Sequence, residues 1–149
     1  MDLMSLVDRA WPVLGPVTKL HTAVYRASGG LLGHRIPFGP PMLLLDHVGA
    51  RSGVRRSTPL VYAADGENLI LIASKGGHPK NPAWYHNLRA HPETTVQVGP
   101  EHRLVRAREA GPGERDALWR KACAVYPSFE GYQRRTGRAI PVILLEPRG

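Results

Sequence analysis

A mainly β, α+β chain, built as a small barrel of about six antiparallel strands with flanking helices, is predicted by three observations. Thirty of the 149 residues are Gly or Pro (16 and 14), a content that favours many short elements joined by tight turns. The apolar periodicity changes at Met42 from three- and four-residue spacing to strand-like runs. Hairpin signals such as Asp65-Gly66 and Gly99-Pro100 separate those runs, so that neighbouring strands pair antiparallel. A barrel leaves such a set of strands few open edges. A mass of 16.4 kDa fits one domain over residues 1–149, and 42% hydrophobic residues are enough to bury a core.

The elements follow in order. Residues 1–28 read as helical, with Leu3, Leu6, Val7, Ala10, Trp11 and Leu14 on one face and Gly29-Gly30 as the stop. Residues 29–41 form a Gly/Pro loop. Met42–Val48 is a strand, Gly49–Arg56 a basic turn, Thr58–Ala64 a strand and Asn68–Ala73 its hairpin partner. Residues 74–81 make a second basic, Gly-containing loop. Asn81 as N-cap and Pro82 at the first helical position open a short helix that Pro92 ends. Thr94–Val98 and His102–Glu109 form a hairpin. Glu114–Val125 is a helix with Ala117, Leu118, Lys121, Ala122 and Val125 along one stripe. Ser128–Thr136 is a short aromatic helix or turn, and Ile140–Glu146 closes the chain as a strand.

Composition excludes several function classes. No apolar run approaches the ~20 residues that span a bilayer. The N-terminus has no basic n-region of a secretory signal, and a single cysteine, Cys123, suits a reducing cytoplasm. The apolar face of residues 1–15 suits either peripheral contact with a membrane or packing on the barrel. Twenty Lys and Arg against twelve Asp and Glu give a net charge of +8, a field that attracts anions. No helix-turn-helix, ribonucleoprotein motif or zinc finger is present, so nucleic acid is not expected as a partner. His78, His86 and His91 lack metal-ligand spacing, no GxSxG occurs, and Cys123 sits in a helix without a basic flank, so no metal site is expected.

Two loops stand out. Gly49-Ala50-Arg51-Ser52-Gly53-Val54-Arg55-Arg56 joins two strands, and Ser74-Lys75-Gly76-Gly77 follows a third. Their glycines let backbone N–H groups approach a ligand while Arg51, Arg55, Arg56 and Lys75 supply charge, a chemistry suited to phosphate or carboxylate. Solvated surface is the competing reading for each loop alone. Trp84 and Leu88 share a helical face that fits either the core or a planar heterocycle. Tyr126 and Tyr132, six apart around a bend, fit either a capped barrel mouth or a pocket lined with O–H donors. With no nucleophile, metal or carboxylate pair in evidence, an anion-binding aromatic cleft points to a cofactor that carries the reaction.

The segments Gly49-Ala50-Arg51-Ser52-Gly53, Arg56-Ser57-Thr58-Pro59-Leu60, Ala73-Ser74-Lys75-Gly76-Gly77, Asn81-Pro82-Ala83-Trp84-Tyr85-His86-Asn87-Leu88 and Tyr126-Pro127…Tyr132-Gln133, in this order, resemble the deazaflavin-dependent nitroreductase and quinone reductase family of actinobacteria. The likeness runs from about Phe38 to Pro147. It implies a split β-barrel of the flavin-reductase kind and coenzyme F-420, a 5-deazaflavin with a phosphate and an oligoglutamate tail. It implies hydride transfer to quinone-like or nitroaromatic acceptors. By position, Arg51, Ser52 and Arg56 would bind phosphate or glutamates, and Pro59, Leu60 and Val61 would pass under the ring. Ser74, Lys75, Gly76 and Gly77 would contact ring edge and phosphate, and Trp84 and Asn87 would complete the pocket. Tyr126 and Tyr132 would face the acceptor, with Ser74 or either tyrosine polarising it or supplying a proton. Ala50 stands where many members carry a basic residue, and Phe129 where some nitroimidazole-reducing members have tyrosine. Two alternatives stand beside it: a flavin mononucleotide oxidoreductase of the same barrel, whose ligand lacks the acidic tail that the basic loops suit, and a non-enzymatic binding protein driven by the net charge of +8.

Overall fold

The computed structural model describes residues 40–148. The helical segment expected over 1–28, and with it the membrane contact considered for 1–15, lies outside the described residues. Within them the order is β1 (Met42–Val48), β2 (Arg55–Val61), β3 (Ala63–Asp65), β4 (Asn68–Ile72), a 3-10 turn (Lys75–Gly77), α1 (Ala83–Ala90), β5 (Glu93–Val98), β6 (Glu101–Glu109), α2 (Arg115–Val125), α3 (Ser128–Arg135) and β7 (Val142–Pro147).

The strands form one antiparallel sheet in the order β2-β1-β5-β6-β7-β4-β3. Its two outer members, β2 and β3, are consecutive in the chain and separated only by Tyr62. The sheet therefore curls until one bent stretch of chain serves both edges, which is how a split barrel avoids open ladders. The single strand expected over Thr58–Ala64 is two strands. Its N-terminal part pairs with β1 (Leu45↔Thr58, Met42↔Val61) and its C-terminal part with β4 (Ala63↔Ile70). At the corner the Tyr62 N–H donates to the Pro41 carbonyl at 3.3 Å. Arg55 and Arg56, expected in a turn, already belong to β2, opposite Val48 and His47.

Strands β4 and β7 are buried on both faces, which is why Leu69-Ile70-Leu71-Ile72-Ala73 and Val142-Ile143-Leu144-Leu145 are unbroken apolar runs. Leu69, Leu71, Ile143 and Leu145 join Leu43, Leu45, Val96 and Val105 inside the barrel, where α1 inserts Trp84, Tyr85 and Leu88. The alternate residues Ile70, Ile72, Val142 and Leu144 pack outward under Leu118, Ala122, Cys123 and Phe129 of α2 and α3. The buried stripe of α2 is thus Leu118, Ala122 and Cys123. Ala117 and Lys121, expected on that stripe, are exposed, and Lys121 pairs with Asp65 instead. At the start of α1, Pro82 rather than Asn81 occupies the N-cap. The Asn81 carboxamide is taken by a distant arginine, described below.

Candidate functional site

A cleft of about 690 Å³ opens where the bent strand leaves the barrel. Thr58, Pro59, Leu60 and Val61 of β2 form one wall. Pro59 lacks an N–H, which β2 tolerates as the edge strand of the sheet among the described residues. Ser74, Lys75 and Gly76 contribute from the loop after β4, Trp84 from α1, and Tyr126, Phe129 and Tyr132 from the α2–α3 region. Of the residues expected around a ring and its acceptor, Pro59, Leu60, Val61, Ser74, Lys75, Gly76, Trp84, Tyr126 and Tyr132 are therefore brought together. Gly77 and Asn87 do not line the cleft; they hold the segments that do.

The loop after β4 is shaped by its backbone. Ser74 is right-handed helical (φ −79°, ψ −37°), and Lys75, Gly76 and Gly77 follow with φ of 46°, 64° and 83°. A right-handed residue followed by a left-handed one turns successive N–H groups toward one concave side, suited to an anion. Lys75 holds a conformation that L residues rarely adopt, a strain that tertiary structure must sustain. Gly77 is needed for space as well, because a Cβ there would lie 2.7 Å from the Tyr132 carbonyl oxygen. The loop is consequently packed directly on α3, the helix that carries Tyr132.

Arg138 secures this arrangement. Its guanidinium donates to the His78 carbonyl (2.9 Å), the Ala73 carbonyl (3.2 Å), the Asn81 Oδ1 (2.7 Å) and the Ser74 carbonyl (2.8 Å). Its own backbone is held by Gln133, whose Nε2 donates to the Arg138 carbonyl at 2.8 Å and whose Oε1 accepts from the Ile140 N–H at 3.0 Å. Sequence reasoning missed Arg138, since RRTGRAIP carries no local signal that one of its arginines is structural.

The aromatic wall is a connected cluster. The Tyr126 and Tyr132 hydroxyls lie 3.2 Å apart, and Phe129 meets Tyr126 edge-on at 5.0 Å between ring centroids. Burial, followed by the hydrogen bond and charge interaction with Tyr126, pushes the Tyr132 phenol up to about 12, with Arg135 opposing. Tyr132 therefore keeps its proton throughout the physiological range and can donate it. Phe129 is buried and, having no hydroxyl, presents only an apolar ring to the cleft.

Arg51, Ser52 and Arg56 are exposed and lie outside the cleft lining. Arg51 and Ser52 sit on the loop between β1 and β2, closed by N–H bonds from Gly49 to the Val54 carbonyl and from Gly53 to the Gly49 carbonyl, both 2.9 Å. The Ala50 N–H fixes this loop to α1 by donating to Asn87 Oδ1 at 2.9 Å. Arg56 precedes the cleft wall on the same strand, with Arg55 and Arg56 bordering an adjoining polar groove beside Asp46 and His47. From Thr58, the wall residue nearest to it on β2, Arg56 is two positions away, roughly 7 Å along the strand at ~3.3 Å per residue. Arg56 and the basic loop before it thus precede the cleft wall on the chain without being part of its lining.

His47 was also missed. It follows Leu43 and Leu45 on the two-residue alternation of β1, so the pattern predicts an inward side chain, but a lone histidine there reads as core. It is buried, with Nδ1 2.9 Å from Asn87 Nδ2 and Nε2 2.8 Å from Thr58 Oγ1.

Comparison with known proteins gives the family of the chain. Residues 17–147 match the family model described as F420H(2)-dependent quinone reductase. The chain is 44% identical to the F420H(2)-dependent quinone reductase Rv1261c of Mycobacterium tuberculosis, over 99% of this chain and 100% of that one. It is 44% identical to a second protein of that organism, Rv3178, over 72% of this chain and 91% of the relative. A solved F420-H2 dependent reductase (FDR-A) superposes with a TM-score of 0.67 at 37% identity, over 75% of this chain and 99% of that one. With the curled sheet, the glycine loop and the aromatic wall in place, these matches show that the chain belongs to the F420H(2)-dependent quinone reductase family.

Proposed function

We propose that this chain is an oxidoreductase that reduces a quinone-like acceptor with coenzyme F420, and that nitroaromatics fall within the same class of planar, electron-poor acceptors. The observation that carries this reading is a single cleft that combines an apolar strand wall, a left-handed glycine loop with a lysine, and a pair of phenol hydroxyls. The residues fit the cofactor. A volume of about 690 Å³ suits a tricyclic ring and part of an acceptor. Pro59, Leu60 and Val61 offer a flat apolar surface, and the backbone at Lys75–Gly76 and the Lys75 ammonium suit an anionic group. Arg56 on the same strand, with Arg51 and Ser52 on the loop before it, suits the acidic tail.

When bound in its reduced form, coenzyme F420 supplies a hydride. The chain's residues do the rest. The cleft walls hold the two planar partners together and exclude water, which lowers the entropic part of the barrier by ~7–11 kcal/mol in favourable intramolecular cases. Tyr132 holds a proton that its burial keeps in place, and the 3.2 Å contact with Tyr126 provides a path by which that proton is replaced from solvent. One hydride and one proton convert a quinone to a hydroquinone. Ser74, buried in the same wall, is positioned to donate to an acceptor oxygen. The amphipathic sequence of residues 1–15 suits a membrane contact through which a lipid-soluble quinone reaches the cleft; failure to co-sediment with anionic vesicles would remove that part.

Fluorescence titration of the purified protein with oxidised F420 and with flavin mononucleotide tests the cofactor assignment. Saturable binding of F420, followed by F420H2-dependent bleaching of a soluble naphthoquinone, is expected. Saturation by neither cofactor would overturn the reading, and saturation by flavin mononucleotide alone would transfer it to the flavin class.

A further inference from the structure

We infer that His47 is a positioning residue that ties the cleft wall at Thr58 to the basic loop through Asn87. The hydrogen-bond roles are fully determined. The Ala50 N–H needs an acceptor, so the Asn87 atom facing it is Oδ1, and its amide nitrogen faces His47. An amide NH2 only donates, so His47 Nδ1 accepts and is unprotonated. The neutral imidazole then carries its proton on Nε2, which donates to Thr58 Oγ1 at 2.8 Å. A continuous chain of bonds thus runs from the cleft through β1 to α1 and into the loop that bears Arg51.

A proton on Nδ1 would place two donors face to face. Relief requires the Asn87 amide to rotate, which turns its NH2 against the Ala50 N–H and breaks the anchor of the loop. The surroundings favour the neutral form. Burial and Arg56 lower the His47 pKa below its ordinary value of 6.5, while Asp46 opposes them. The other charged groups sharing its groove are Arg55 on β2, Glu93 on β5 and Arg148 beyond β7, and α1 presents the uncharged Asn87. His47 thereby couples the loop's grip on an acidic group to a cleft it does not itself line.

This inference rests on the reading that the loop holds the tail of F420, and its test separates the two. The probes are F420 and its tail-less fragment, 8-hydroxy-5-deazariboflavin, titrated by fluorescence between pH 8 and 5.5. Ring ionisation is common to both and cancels in the affinity ratio, and glutamate carboxylates, near 4.3, stay charged. The wild-type protein is expected to prefer F420. His47→Gln keeps a donor near Thr58 but loses the acceptor for Asn87, and should narrow the preference roughly 2- to 10-fold, the worth of one hydrogen bond. His47→Asn, whose Oδ1 replaces Nδ1, should retain it. In wild type the preference should narrow below pH 6.5, and in His47→Asn that acid limb should vanish. A preference unchanged in His47→Gln and flat with pH would overturn the inference while the cofactor reading stands. No preference for F420 in wild type would overturn the tail reading and this inference with it. If His47→Gln does not fold, the wild-type pH titration decides alone.

Discussion

Replacing Arg138 by alanine should damage the site without removing any group from the cleft lining. The guanidinium serves four acceptors spread over residues 73–81. One of them, the Ser74 carbonyl, also accepts from the Gly77 N–H at 2.9 Å and is not orphaned. The Ala73 and His78 carbonyls and Asn81 Oδ1 lose this charged donor. Each such bond contributes about 1.5–3 kcal/mol, but the guanidinium is only half-buried, so water can occupy part of the space it leaves. A net loss of about 2–4 kcal/mol follows. For a chain of this size that corresponds to a fall in Tm of roughly 5–15 °C. Lys75 depends on the same loop for its left-handed backbone, so F420 affinity should fall alongside stability. Arg138→Lys should recover less than half, because one ammonium cannot span the fork of acceptors. Denaturant unfolding followed by tryptophan fluorescence measures the first quantity and F420 titration the second. Arg138→Ala within 0.5 kcal/mol of wild type, by the ~±0.5 kcal/mol standard of an ordinary surface substitution, with unchanged affinity, would refute the reasoning.

The two loop glycines should respond differently. Gly77→Ala meets both a left-handed φ of 83° and the Tyr132 carbonyl at 2.7 Å, and should cost about 2–4 kcal/mol. Gly76→Ala, at φ 64° with open space around it, should cost only about 1–2 kcal/mol; equal losses in thermal unfolding would contradict the packing argument. Lys75→Ala and Arg51→Ala should each weaken F420 affinity by roughly 1–3 kcal/mol, with the Arg51 effect absent for the tail-less fragment. Tyr126→Phe should move the Tyr132 titration, read at 295 nm, down from about 12 toward its ordinary value of 10. Because the folded-state value is raised, the stability contributed by Tyr132 is complete below pH 10 and is lost as pH rises from 10 to about 12. A stability curve of wild type and Tyr126→Phe that coincides over that interval would show the hydroxyl contact to be inconsequential.

The residues that the family resemblance places around the ring were legible because they are local signals. Pro59, Ser74-Lys75-Gly76 and Trp84 belong to short segments whose order is itself distinctive, and each lines the cleft. The supporting residues were not. Arg138 lies 57 to 65 positions from its four acceptors, and Asn87 lies 40 from His47 and 37 from Ala50. Polar side chains at such separations carry no mark of their partners.

From the sequence alone came the α+β class, the antiparallel pairing and the limits of most elements. These depend on what a residue or its neighbours permit: a left-handed φ at Gly66 and Gly99, the missing N–H of proline, the period of apolar side chains. Only the tertiary structure decided that the strand through Tyr62 is shared between both edges of the sheet, that Arg51, Ser52 and Arg56 are not among the residues lining the cleft, and that the two loops are tied down by hydrogen bonds with Asn87, itself bonded to His47, and with Arg138. Those features depend on which distant backbone groups are left without partners once the barrel has closed, a condition that exists in the assembled fold and in no segment of the chain.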